Sequence, residues 1–567
     1  MSFHAAVLAK LEFPAVLAML AKRCRFGVAA ERARKLGPSQ DPETVAYLLE
    51  VTAEAVDLLT SFPEITIGGA RDVRSLTGRA RKGGRLQPHE LLQVLDMVAA
   101  SRVLRRAFFR LPDAETRFPH LTQFVERLAE EPGLETDINR SIGARGDVLD
   151  TASPALAQIR RDVRVAHSRL MERLNNLVSG GRYAPALQDN IVTTRDGRYV
   201  VPVKAEARSA LPGVVHDTSA SGQTIFVEPF DVVELNNKWR ERQLEEQHEI
   251  DRVLDGLSAR VGDRADAIDQ AVEAAAAVDL AMAKALLAFD LRAHRPILWN
   301  PTALNPDPAG HPTHRIKLRR ARHPLLDPAT VVPIDIELGA EYRVLVITGP
   351  NTGGKTVALK TVGLLMLMAQ TGLYIPADDE SVVSVFPAMF ADIGDEQSIA
   401  QSLSTFSAHM RTIIAMLEHV TADSLVLLDE LGAGTDPQEG SALARSLVAE
   451  LLALGPLVVA TTHYSEVKAY AYATPGVENA SVEFDVQTLA PTYRLTIGVP
   501  GRSNALAIAK RLGMAAQVLD RAHGLLDPDE VRADALLQDI RQRRDEADEA
   551  LERAREVEQS TKQLRLI

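Results

Sequence analysis

Lys355 and Thr356 close the run Gly349, Pro350, Asn351, Thr352, Gly353, Gly354, Lys355, Thr356, which sets an ammonium and a hydroxyl side by side after a glycine-rich segment. That composition suits a triphosphate. A glycine-rich turn aims backbone N–H groups at phosphate, the lysine reaches the β and γ oxygens, and the hydroxyl ligates Mg2+. A tight turn with an incidental lysine is the plainer alternative. Further on, Asp429 and Glu430 form an acidic pair able to supply a water-mediated Mg2+ partner and a base for the attacking water. Such groups need rigid supports. Residues 342–347 read as a strand and the residues from Val357 onward as a helix, so the lysine loop joins the two. Residues 424–428 read as a buried strand ending at the acids, and residues 457–462 as another ending before His463. Strands alternating with helices over residues 296–527 predict an α/β domain with a largely parallel sheet.

The rest of the chain reads as several further parts. Residues 1–152 carry helical periodicity, including runs over 5–21, 42–61 and 88–109, and predict an all-helical region. A long helix over 153–181, a β-rich module over 182–230 and a second, longer helix over 231–295 predict a stalk carrying a tip. Residues 528–567 are charged and helical, with Ala547, Ala550, Ala554 and Val557 as a weak coiled-coil seam. That segment is expected to be a linker to a C-terminal region absent from this sequence.

Among 567 residues, 46% are hydrophobic and 25% charged, the balance of a multidomain globular protein. Cys24 is the single cysteine, which excludes an internal disulfide and a cysteine zinc cluster and fits a reducing, cytoplasmic setting. No run approaches the roughly 20 apolar residues of a membrane span, so no membrane association is expected. A net charge of −12 weighs against a surface coated with phosphate-binding groups. Basic clusters nevertheless occur at 71–85, 160–173 and 315–322, each readable as a solvated face or a nucleic-acid contact.

Three more motifs surround the lysine loop. Ser404, Thr405 and Ser407 form a hydroxyl cluster opening a helix, able to offer donors and partial positive charge to a phosphate. Thr435 and Asp436 lie in a glycine-containing loop, 431–440, that ends at a helix start. His463 stands where it could contact a γ-phosphate or the attacking water. Singly, these also fit a capping box, a turn and a satisfied histidine.

Their order, carried by ITGPNTGGKT, ADIGDEQSIAQSLSTFSAHM, LLDELGAGTDPQEGSALA and ATTHY, resembles the MutS family of ABC-type ATPases. LEFPAVLAML, GRYVVPVK, HDTSASGQTIFVEP and ARHPLLD are similar to its second bacterial branch, MutS-two. The resemblance implies an all-α core, long lever helices with a clamp-like β-rich module, and an ABC-type P-loop ATPase and dimerisation domain. It implies a homodimer with ATP and Mg2+, the run from Gly349 to Thr356 around the phosphates, and Thr356 and Asp429 serving the metal. Glu430 would polarise water with Lys355 and His463 as catalytic partners, Ser404, Thr405 and Ser407 would reach the neighbouring copy's phosphate, and Thr435 and Asp436 would form an interface loop. Branched DNA and suppression of recombination are the implied substrate and role. Stalled or collided ribosomes, split through rRNA contacts, are the alternative.

The departures from mismatch readers are equally specific. Only about 340 residues precede the loop, and the wedge pattern Phe-x-Glu occurs three times, at Phe62, Phe124 and Phe226, so it marks nothing. Members of the branch continue into a small MutS-related nuclease domain, so an endonuclease role belongs to a full-length protein. An ABC transporter subunit and an SMC-like bridge fit less well: LSTFS replaces the glycine-rich signature, and the helical stretches are too short for a long coiled coil.

Overall fold

The computed structural model describes residues 5–300, 313–350, 354–394, 405–485, 490–499 and 505–525. The chain divides into two compact units: residues 1–64, 117–121 and 278–567 form the first, and residues 65–116 and 122–277 the second.

In the second unit, Ser153 accepts a hydrogen bond from the Leu156 amide and Pro154 occupies the first turn, which starts the helix Pro154–Ser179. Its apolar stripe, Leu170, Leu174 and Val178, reaches a four-stranded antiparallel sheet of β1 (Thr193–Arg195), β2 (Arg198–Lys204), β3 (Gly213–Thr218) and β4 (Thr224–Pro229). The order is β1-β2-β4-β3, and Val201, Val203, Ile225 and Val227 supply the inward face. The helix Phe230–Asp263 follows directly and is tied to the first helix by Arg160–Glu246 and Arg173–Asp231.

The helix expected over 231–295 is not continuous. It ends at Asp263, and a second helix, Ala265–Leu291, begins after Arg264. Gly262 explains the place of the break: a Cβ there would meet the Ala80 carbonyl oxygen at 2.8 Å, and glycine followed by aspartate is poor helix-forming sequence.

The first unit holds a six-stranded sheet ordered β10-β11-β12-β8-β13-β14, where β8 is Val344–Thr348, β10 Ala388–Asp392, β11 Ser424–Leu428, β12 Leu457–Thr461, β13 Val477–Asp485 and β14 Ala490–Ile497. All of its neighbours are parallel except β13 and β14. β8, β11 and β12 are buried at every residue, as expected of apolar strands covered on both faces. A separate four-stranded sheet, β5-β9-β6-β7, contains β5 (Ile297–Leu298), β6 (Ile316–Ala321), β7 (Ile334–Leu338) and β9 (Val382–Val383). Sequence periodicity did not reveal this second sheet.

The N-terminal helices also depart from expectation. The periodic run over 5–21 breaks into Ala5–Lys10 and Phe13–Arg23, with Glu12 between them at φ 58°. They join the core of the first unit, where Leu11, Phe13, Val16 and Leu20 are buried with Leu359, Val362 and Met366 of the helix Lys355–Gln370. Residues 1–64, with 117–121, therefore group with residues 278–567 and not with the remainder of the segment 1–152. The apolar area shared with that almost wholly buried helix explains the grouping.

Candidate nucleotide site

β8 ends at Thr348, and the lysine loop leads straight into the helix Lys355–Gln370, whose N-cap Gly354 has φ 94°. Glycine is required there. A Cβ would meet the Tyr493 ring at 2.8 Å, besides the steric cost of a left-handed backbone. Gly349, at φ 132°, is similarly hemmed by the Val482 carbonyl at 2.9 Å. Lys355 is buried and donates to the Gly349 carbonyl at 2.6 Å. Burial holds its ammonium below the usual lysine range, while Glu430 and Asp429 pull it up and Lys468 pushes it down. Pro350 is half-buried. Asn351, Thr352 and Gly353 lie outside the described residues.

The acids meet the loop across the sheet. Thr356 Oγ1 donates to Asp429 Oδ2 at 2.8 Å, a contact between residues 73 apart in sequence. β12 lies between β11 and β8, and Thr461 at its end donates to Asp429 Oδ1 at 2.5 Å while its oxygen accepts the Glu430 amide at 2.8 Å. Glu430 adopts φ 49°, a left-handed backbone unusual for glutamate that turns the chain immediately after Asp429. Thr461 was missed as a functional residue, although the hydroxyl pair before His463 was its signal.

His463 is exposed, with its ring 4.4 Å from that of Tyr464. Desolvation lowers its imidazole below the ordinary value, Glu430 opposes this, and Lys355 and Lys468 lower it further. Lys468, buried on the helix Ser465–Ala473, is a second cation of this neighbourhood that sequence spacing did not single out.

Thr405 opens the helix Thr405–Leu417, with Ser407 half-buried on it. Ser404 lies outside the described residues. The glycine loop approaches that helix start: a Cβ on Gly434 would stand 3.4 Å from the Phe406 Cβ. Thr435 is half-buried, and the Asp436 carboxylate caps the helix Pro437–Leu454 by accepting the Gln438 and Glu439 amides. Helix capping is thus the observed local role of Asp436, where the plainer expectation for its loop is a turn.

Beside Gly354 opens a cavity of about 380 Å³, lined by His323, Leu326, Val332, Val357, Tyr493 and Leu495 among others. Its mostly apolar wall with an aromatic ring suits a planar heterocycle.

The basic clusters differ in how far they are paired. In 71–85, Arg71, Arg74, Arg79, Arg81 and Arg85 all pair with carboxylates, including Asp96, Glu273, Glu90, Asp269 and Asp255. Arg315, just before β6, and Arg319 on it pair with Glu337 of β7, and Arg320 pairs with Asp378. Within 160–173, Arg160 and Arg173 are paired, whereas the exposed Arg161, Arg164 and Arg169 hold no ion pair among the described residues.

MutS domain V matches residues 345–528, the region containing this site. The fold and site define a P-loop ATPase of the MutS type. "Endonuclease MutS2" of Thermomicrobium roseum is 56% identical over 538 residues, covering 95% of this chain and 68% of that protein. The protein of the same name from Geobacillus thermodenitrificans is 47% identical over 555 residues, covering 98% and 69%. The chain belongs to the MutS2 family.

Proposed function

We propose that the protein is a homodimeric ATPase in which nucleotide bound at the lysine loop of one copy is completed by Ser404, Thr405 and Ser407 of the other. The assembly of Lys355, Thr356, Asp429, Thr461 and Glu430 at adjoining strand ends carries this reading. The cavity beside Gly354 takes the base, and loop amides with Lys355 take the phosphates. The Thr356 hydroxyl and the Asp429 carboxylate, 2.8 Å apart, are oxygen donors that would hold Mg2+, Asp429 through a water. When bound, that ion neutralises charge on the β and γ phosphates.

Glu430 accepts a proton from water as the water oxygen bonds to the γ-phosphorus. The bond to the β–γ bridging oxygen breaks, leaving ADP and phosphate. His463, kept neutral near pH 7, orients this water or the γ-phosphate. Because a single copy surrounds the triphosphate only in part, binding favours the closed pair and hydrolysis releases it.

The helices Pro154–Ser179 and Phe230–Asp263 act as levers and the β1–β4 sheet as a clamp-like tip, closing on branched DNA to oppose recombination. Arg161, Arg164 and Arg169 support a phosphate-bearing partner. The test compares ATPase stimulation by branched DNA, linear DNA and ribosomes side by side. Stimulation greatest with branched DNA supports the reading, whereas a response to ribosomes alone replaces DNA with rRNA as the partner. The relatives' name records an endonuclease, and the residues of the nucleotide site are proposed for ATP hydrolysis, not for that cutting.

A further inference from the structure

Three consecutive residues at the Ala5–Lys10/Phe13–Arg23 turn touch the nucleotide machinery at three places. Lys10 Nζ lies 3.4 Å from Asp392 Oδ1, at the end of β10. Leu11 is fully buried, and a Cβ on Gly363 of the helix Lys355–Gln370 would stand 2.8 Å from its Cδ2. Glu12 pairs with Lys360 of that same helix at 3.4 Å.

Asp392 is the junction. Its other carboxylate oxygen lies 2.7 Å from His409 Nδ1, one turn along the helix that Thr405 opens. Its backbone carbonyl accepts the Asp429 amide at 2.8 Å. The side chain is nearly fully buried, so its charge is tolerated only because partners from two other elements face it. Apolar packing could cover the same place but would let the helix slide, whereas the His409 bond ties the helix at one point to the end of β10 and Lys10 holds the other carboxylate oxygen.

We propose that Lys10, Asp392 and His409 are positioning residues: they set the helix Thr405–Leu417, and thereby control turnover at the neighbouring copy's phosphate. This rests on the shared-site reading above. The N-terminal turn is then a brace for catalysis in the partner, while its Leu11 and Glu12 contacts hold the loop helix of its own copy. Neither Lys10 nor His409 has to touch nucleotide for the effect.

The test uses Asp392→Asn, which keeps the side chain's size and removes its charge. ATP affinity and KM should stay within about twofold, while kcat falls roughly 10- to 100-fold, the scale of about 1 Å of misplacement. Lys10→Ala should show a smaller loss of the same kind, and Lys10→Arg should recover it. Mixed with Lys355→Ala, the Asp392→Asn protein should regain activity above the sum of the two parents, because one composite site then has an intact loop and a correctly held helix. Should Asp392→Asn unfold, His409→Gln serves in its place with the same expected result.

Unchanged kcat in both variants, or a rise in KM alone, overturns the assignment. A Ser404→Ala and Lys355→Ala mixture is the control. If that control recovers activity and the Asp392→Asn mixture does not, only the positioning role fails. If the wild type stays monomeric with ATP and Mg2+, the shared-site reading fails and takes this one with it.

Discussion

Thr461 serves both acids with one hydroxyl, donating to the Asp429 carboxylate and accepting from the Glu430 amide. Thr461→Val preserves the β-branched shape but leaves the buried Asp429 carboxylate and the half-buried Glu430 amide each short of a partner, at about 1–3 kcal/mol for the buried one. Turnover should fall at least about tenfold and the Mg2+ requirement rise, read by kcat across a metal titration. Glu430→Gln should leave nucleotide binding intact and slow hydrolysis by roughly 10²-fold or more, in the range of lost general-base catalysis. A turnover equal to wild type would remove Glu430 from that role. Lys284 gives a different residue-scale expectation. Fully buried and bonded only through its 2.7 Å contact to the Thr371 carbonyl among the bonds described for it, it has a pKa pushed down by desolvation from 10.5 to about 8. Below pH 8 it is protonated in both folded and unfolded chains, and the burial penalty is fully present. Between about pH 8 and 10.5 the unfolded chain binds the extra proton, so stability rises with pH by up to about 3 kcal/mol. Lys284→Met should flatten that rise in thermal melts taken from pH 8 to 10.

At the scale of elements, Leu11 and Gly363 form a knob and its seat between the N-terminal turn and the loop helix. Leu11→Ala should cost about 2–5 kcal/mol by leaving a cavity. Adding Gly363→Ala then meets no Leu11 methyl but still meets Leu427 Cδ1 at 2.5 Å, so it should cost less in the Leu11→Ala background than in wild type, helped by the preference of about 1 kcal/mol for alanine in a helix interior. In wild type the same Gly363→Ala change meets Leu11 Cδ2 and Cδ1 at 2.8 and 2.9 Å as well as Leu427, so the two substitutions should be non-additive in melting experiments, the pair costing less than the sum of the singles. The strand, loop and helix around Lys355 were legible because their signals are local: an apolar run, glycines and a helical period. The acids and His463 were legible for the same reason, each closing its own strand. The Lys10–Asp392 contact spans 382 positions, and no periodicity encodes such a meeting. Nor did the apolar count show that the run over 231–295 would stop at Arg264, which depends on how closely Ala80 approaches Gly262.

Across the whole molecule, the net charge of −12 takes a physical meaning: many of the acids are already engaged by arginines. The cluster 71–85 reads as basic from sequence because several of its partners stand far along the chain, Asp269 being 188 residues from Arg81. Replacing Arg161, Arg164 and Arg169 together with alanine should weaken nucleic-acid binding and reduce the slope of log K against log salt by up to about 3. Replacing Arg74, Arg81 and Arg85 should leave that slope nearly unchanged. Equal effects from the two sets would move the contact away from the helix Pro154–Ser179. The seating of Leu11 against Gly363 also bears on how the chain is made. During synthesis at about 5–20 residues per second, some 20–70 s separate the emergence of these two residues. Throughout that interval Leu11, Phe13, Val16 and Leu20 lack their final cover, so the nascent N-terminus should be a preferred handhold for chaperones until the loop helix leaves the exit tunnel.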